Sequence, residues 1–160
     1  MKGKEFIETV LINEIGEVAN QYPYLAFALM CIGIEFLGKC LHSKDIHKGG
    51  ESRDNFDNAL EKYPSLNKYQ SIENLYGCLR CGLLHAFLPN DGVILSDDQN
   101  DLPNNVIGCK DFYNDFVTAC GDAIDDTKDI AERNLDERML EIVKNLTGTT
   151  HEILEGGYSV

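Results

Sequence analysis

The sequence predicts an all-α protein: a single bundle of five or six helices with a small β-hairpin set beside it. Three observations carry that prediction. Apolar side chains recur at helical spacing in five long segments. Two short runs alone have β-forming character. The composition, 43% hydrophobic and 26% charged over 160 residues, is that of a soluble globular domain and excludes collagen-like, low-complexity and wholly disordered chains. A chain of this length buries roughly 70% of its unfolded surface, enough for a core without a disulfide or metal staple.

Residues 5–20 place Ile7, Val10, Leu11, Ile15 and Val18 on one face, which predicts a first amphipathic helix. Pro23 suits the first turn of a second. There Leu25, Leu29, Ile32, Phe36 and Cys40 run along one face while Phe27, Cys31, Ile34, Leu37 and Leu41 fill another, so this helix is expected to be central and buried nearly all round. Residues 43–51 read as a loop. Ser52 is expected to cap a short helix carrying Phe56, Ala59, Leu60 and Tyr63, which Pro64 ends. A fourth helix, from about Lys68 to Leu88, carries Ile72, Leu75, Leu79, Leu83 and Ala86 and stops before Pro89. It is expected to lie antiparallel to the second at the centre of the bundle.

Val93–Leu95 and Val106–Cys109 flank the polar stretch SDDQNDLPNN, which reads as a hairpin with a long acidic tip. Phe112, Phe116, Ala119, Ala123 and Ile130 mark a fifth helix with an Asp-rich outer face. Leu135, Met139, Ile142 and Leu146 mark a sixth, ended by Gly148. Residues 1–150 thus form one helical domain, and 151–160, with Gly156 and Gly157, a loose tail.

The formal charge of −13 argues against a general nucleic-acid coat protein or a binder of anionic membranes. The charge is uneven: residues 1–90 carry 9 basic and 11 acidic side chains, residues 91–141 carry 4 and 14. Within the first part Lys39, Lys44, Lys48 and Arg53, with His42 and His47, outnumber Asp45 and Glu51. That basic segment suits a phosphate, such as an RNA backbone; the plainer reading is a solvated loop. The N-terminal MKGKEFIETVLINEIGE has acids where a signal peptide needs apolar residues, so a cytoplasmic protein is expected. The apolar stretch Tyr22–Leu41 is interrupted by Glu35 and Lys39, each costing roughly 3 kcal/mol at a bilayer centre, and reads as a core helix with no membrane role. The six Cys then read as reduced thiols.

There is no Gly-rich phosphate loop, GxGxxG, HExxH or GxSxG. Asp97, Gln99 and Asp101 alternate like a calcium loop, but Leu102 and Gly108 stand where that loop needs Gly and Glu. Cys78, Cys81 and His85 share a helix face at zinc-ligand spacing, with Cys40 and His42 as further donors. Both Cys of the first pair lie inside a helical pattern and not on the tight turn of a structural zinc site, so they read as packing residues and no metal or cofactor is assigned. Glu35, the one acid of the second helix, needs a partner if buried, and Arg80 is the single Arg or Lys between Tyr69 and Lys110. Arg80 and His85 combine a permanent cation that can brace a phosphate with a group that moves protons near neutral pH. On a straight α-helix they point roughly 140° apart. They converge if the helix is distorted near Gly82 or if a second chain completes the site.

The segment LYGCLRCGLLHAFLP, an Arg followed after four residues by a His on a long helix, resembles the HEPN superfamily, whose signature is Arg, four to six residues, then His. LAFALMCIGIEFLGKCL is similar to the helix that packs against it, and the resemblance covers roughly residues 22–130. It implies a HEPN-like bundle that forms a homodimer with two motifs facing one cleft. It also implies a metal-independent endoribonuclease of the toxin or defence type, with an antitoxin or nucleotidyltransferase partner. Arg80 and His85 would be its catalytic residues, with Glu35 and Cys81 supporting them. Cys81 stands where such nucleases usually have Asn, Asp or His. Many members are non-catalytic, so the resemblance equally implies a dimerisation or interaction module.

Overall fold

A computed structural model describes residues 2–41, 50–90 and 92–126. The sixth helix, the tail, Ile130, His42, Lys44, His47 and Lys48 lie outside the described residues. The protein is mostly helical, with one small two-stranded sheet.

Helix α1 is continuous through Gly3–Phe6, a π-helical stretch Ile7–Glu14, and Ile15–Gln21. The chain reverses at Tyr22, and Pro23 opens α2, Pro23–Cys40, in the first-turn position where its missing N–H costs nothing. The Phe6 and Phe36 rings meet at 5.2 Å, so α1 and α2 run antiparallel. Helix α3, Ser52–Lys62, packs against α2 at Gly38, where a Cβ atom would sit 1.6 Å from the carbonyl oxygen of Asn55. Only Gly permits that approach. Ser52 does not cap α3: it is the first helical residue, and Glu51 before it is left-handed with φ 65° and no side-chain cap bond. Tyr63 is extended, and Pro64 starts the short α4, Pro64–Asn67, which continues as a 3₁₀ turn, Lys68–Ser71.

The expected long fourth helix is therefore two pieces. After a turn at 72–74, in which Asn74 has φ 53°, α5 spans Tyr76–Ala86 with π-helical hydrogen bonding. Its antiparallel run against α2 is as expected: Tyr24 near the start of α2 donates to the carbonyl of Phe87, and Glu35 further along meets Arg80. Helix α6, Cys109–Asp126, lies along the other side of α2, stacking Phe112 on Phe27 at 5.8 Å and seating Phe116 beneath Gly33. Phe27, Met30, Ile34, Leu37, Phe56 and Phe116 form the centre of the core.

Two further expectations need correction. Strands β1, Ile94–Ser96, and β2, Val106–Gly108, are parallel, in register Ile94 to Val106 and Ser96 to Gly108, so there is no hairpin. The connecting segment turns twice: Asp101 bridges antiparallel to Val106 around the 3₁₀ turn Leu102–Asn104, with Asn105 at φ 56°. That second reversal delivers β2 beside β1 pointing the same way. Nor is α2 buried all round, since Leu25, Leu29 and Ile32 are 45%, 37% and 45% exposed. Of the described helices, α2 alone is long and apolar enough to cross a membrane, and half of it is buried within this fold.

Candidate functional site around Arg80

Helix α5 positions the residues of interest. Arg80 reaches across to α2, where its Nε and Nη2 both donate to Oε2 of Glu35, at 3.0 and 2.7 Å. The pairing that the isolated acid of α2 suggested is present, and both side chains are largely shielded, at 16% and 19% exposure. Burial disfavours the Arg80 cation, but the hydrogen bonds and charge of Glu35 outweigh it and hold the guanidinium above its ordinary range. Charge-assisted bonds of this kind fix the plane of the guanidinium.

The second support is aromatic. The Arg80 guanidinium lies 5.4 Å from the centre of the Tyr76 ring, and Arg53 from α3 lies 5.6 Å from the same ring. Phe56 meets Tyr76 edge-on at 5.7 Å. Tyr76 thus joins two arginines that were separate in sequence, one from the basic segment and one from the Arg–His motif. Nothing in the apolar periodicity marked Tyr76 for this place. The Tyr76 hydroxyl is pushed up by burial and by its hydrogen bond with Cys81, against the pull of Arg80. Cys81 is half-buried and serves as a hydrogen-bond partner to both Tyr76 and Arg80. Cys31 of α2 is wholly buried close enough to Arg80 to feel its charge, but burial dominates and pushes its thiol far up.

His85 sits near the end of α5, exposed, with no hydrogen bond or ion pair among the described residues. No hydrogen bond joins it to Arg80 among the described residues. The π-helical winding nevertheless changes their relation. Each hydrogen bond spans five residues, a turn of roughly 4.4, so residues five apart point roughly 50° apart and not 140°. The distortion needed to bring the two to one side runs through the whole helix.

The small residues of α5 make room for the chain itself. Gly82 is buried under the chain's own exit turn: a Cβ there would lie 2.6 Å from the carbonyl oxygen of Leu88 and 2.8 Å from the Asn90 nitrogen. Asn90 donates from its backbone to Cys78 O at 2.8 Å and from its side chain to Gly77 O at 3.1 Å. Gly82 therefore receives residues 88–90 of the same chain, while Gly77 accepts from Asn90 through its carbonyl and lies against the Asn74 side chain. Phe87 is left-handed, with φ 57°, and stands 69% exposed beside Leu88 at 65%. Tyr24, bonded to Phe87 O, extends this apolar surface next to His85.

The remaining candidates are dispersed. Lys39 is half-buried near the end of α2. Arg53 is exposed and held by Asn74 and, at 3.9 Å, by Asp57. Cys78 points to Glu73 O at 3.9 Å, and among the described residues no three His, Cys, Asp or Glu side chains converge as metal ligands. Compared with known proteins, the chain matches no family model, no curated protein and no solved structure.

Proposed function

We propose that the protein is a HEPN-like, cytoplasmic, metal-independent endoribonuclease in which Arg80 and His85 carry the chemistry. The observation that supports this reading is the posture of the two residues on α5: a guanidinium braced by Glu35 and Tyr76, and an exposed imidazole roughly 50° away on the same helix. In such a reaction the RNA 2′-hydroxyl attacks the adjacent phosphorus and the 5′-oxygen leaves. Arg80 would stabilise the phosphorane through the Nη1 side not given to Glu35. His85 from each of two copies would remove and return the protons, which makes the active species a homodimer.

The test is cleavage of single-stranded RNA with EDTA present. The expected products carry a 2′,3′-cyclic phosphate and a 5′-hydroxyl. His85→Ala should lose roughly 10²–10⁴ of the rate while keeping its fold. Cleavage that needs added metal, or survives His85→Ala unchanged, rejects the reading.

One set of observations favours a second reading, a non-catalytic interaction module. Two of Arg80's donors are already committed to Glu35, and the surface beside His85 is apolar, formed by Tyr24, Phe87 and Leu88. Loss of self-association in Phe87→Ser, with no cleavage by the wild type, supports that alternative.

A further inference from the structure

Helix α3 carries Arg53, Asp57 and Glu61 on one side, each a turn of about 6 Å after the last. Between that row and the chain around the turn at 72–74 lies an open cavity of about 320 Å³. Its floor is apolar: Leu60, Ile72 and Leu75 line it and are buried. Pockets for drug-sized ligands run from roughly 300 to 1,000 Å³, so this one suits a small guest.

Arg53 is held in a set posture at one end. Its Nη2 donates to Asn74 Oδ1, its Nε faces Asp57 at 3.9 Å, and its guanidinium lies 5.6 Å from the centre of the Tyr76 ring. Among the described residues Nη1 has no partner. The carboxylates are served less well. Burial holds the Asp57 carboxyl above its ordinary range, against the pull of Arg53 and with the push of Asp54. Glu61 makes no hydrogen bond or ion pair among the described residues. Two carboxylates four residues apart on one helix repel each other until a cation lies between them.

The cavity therefore offers a donor for an anion, two acceptors for a cation and an apolar floor beside both. A phosphate is repelled by Asp57 and Glu61, and a simple amine leaves Arg53 Nη1 unused. An α-amino acid carries both charges on one carbon, with a side chain to lay on the floor. We propose that this cavity binds a free α-amino acid with an apolar side chain, its carboxylate on Arg53 Nη1, its ammonium between Asp57 and Glu61, and its side chain over Leu60, Ile72 and Leu75. The inference stands on the cavity and its charges and is independent of the ribonuclease reading.

An NMR titration of the full chain with L-leucine tests it. The Arg53 Nε–H and the amides of 72–76 should shift and saturate with a Kd of about 1 mM or tighter. L-leucinamide, which lacks the carboxylate, and N-acetyl-L-leucine, which lacks the ammonium, should each bind at least about tenfold more weakly, the loss of one charge-assisted contact. Glycine should bind more weakly as well. Arg53→Gln should lower leucine to the affinity of leucinamide and leave leucinamide unchanged, and Glu61→Gln should do the same with respect to N-acetyl-leucine. Should Arg53→Gln disturb the fold through Asn74, the two analogues carry the test on the wild type alone. The proposal is overturned if leucine, methionine and phenylalanine all leave these signals unmoved at about 10 mM. It is equally overturned if leucinamide or glycine binds as tightly as leucine, since the cavity would then be a site for cations or would not use its floor.

Discussion

Around Tyr69 the polar groups close on one another, whereas around Tyr76 they remain open to the surface. Tyr69 is fully buried, donates to Asp115 at 2.6 Å and accepts from Asn100 Nδ2 at 2.8 Å. Asn100 in turn accepts from the Gly108 N–H at 2.8 Å and donates its own N–H to Asp111 at 2.8 Å, while Lys68 neutralises Asp115 at 2.7 Å. Every group named there has its partner, and the cluster pins the double-turning segment 97–105 onto α4 and α6. The Tyr76 cluster also ties helices together, α2 to α3 to α5, through Glu35, Arg80 and Arg53. It reaches the surface at Arg53, which is exposed although held by Asn74 and Asp57. A fully buried, satisfied polar network rigidifies the elements it joins; one that reaches the surface shares its groups with water.

The sharpest way to break this contrast is to remove the carboxylate on which Arg80 rests. Glu35→Ala should cost about 2 kcal/mol, less than for a fully buried pair because both side chains keep some exposure. Chemical denaturation of the double variant Glu35→Ala, Arg80→Ala should recover part of that loss, since the stranded cation is gone. On the closed side, Asn100→Ala leaves the Gly108 N–H without its acceptor and should cost somewhat less, about 1.5 kcal/mol, with the loss seen as a lower Tm. If the proposed ribonuclease reading is right, RNA cleavage per folded molecule falls in Glu35→Ala and stays constant in Asn100→Ala.

A smaller effect follows from pH. Burial raises the Cys109 thiol from 9.0 to about 11 and the Cys120 thiol to about 12, and pushes up the Tyr69 hydroxyl together with its bond to Asp115. These groups stay protonated in the folded state while the unfolded chain releases their protons. Stability is therefore complete below about pH 9 and declines as pH rises through the folded values. Thermal melts from pH 7 to 10.5 should show a plateau followed by a fall. The smallest change belongs to Lys110→Ala. Its 2.6 Å contact with Asp98 holds the Asp98 carboxyl below its usual range, yet both side chains are in water, and Tm should not move measurably.

The sequence made much of this legible wherever burial followed a helical period. Ile7, Leu11 and Ile15 on α1, Phe56 and Ala59 on α3, and Phe112, Phe116 and Ala119 on α6 all face inward at the spacing their pattern implies. The Glu35–Arg80 pair was legible too, because an isolated acid on an apolar helix leaves few choices. Other features depend on what periodicity cannot encode. The stripe Leu25, Leu29 and Ile32 has the same spacing as a buried face, and sequence does not say whether a partner covers it. Parallel pairing of Ile94–Ser96 with Val106–Gly108 depends on a second reversal at Asn105. The winding of α5, and with it the relation of Arg80 to His85, lies in backbone hydrogen bonds that no side-chain pattern specifies.

Gly82 carries a consequence for how the candidate site comes into being. Residues 88–90 fold back over it, and Asn90 fastens that return to Gly77 and Cys78, a full helix length before the turn. Helix α5 and its exit turn thus form one clasp: the stretch bearing His85 cannot unwind without first releasing Asn90. A substitution at position 82 lifts the clasp from the inside and alters the reach of His85 without touching it. Measured by spacing alone, Gly82 is one of four residues between an arginine and a histidine; in the folded chain it is the seat on which the end of the helix is locked.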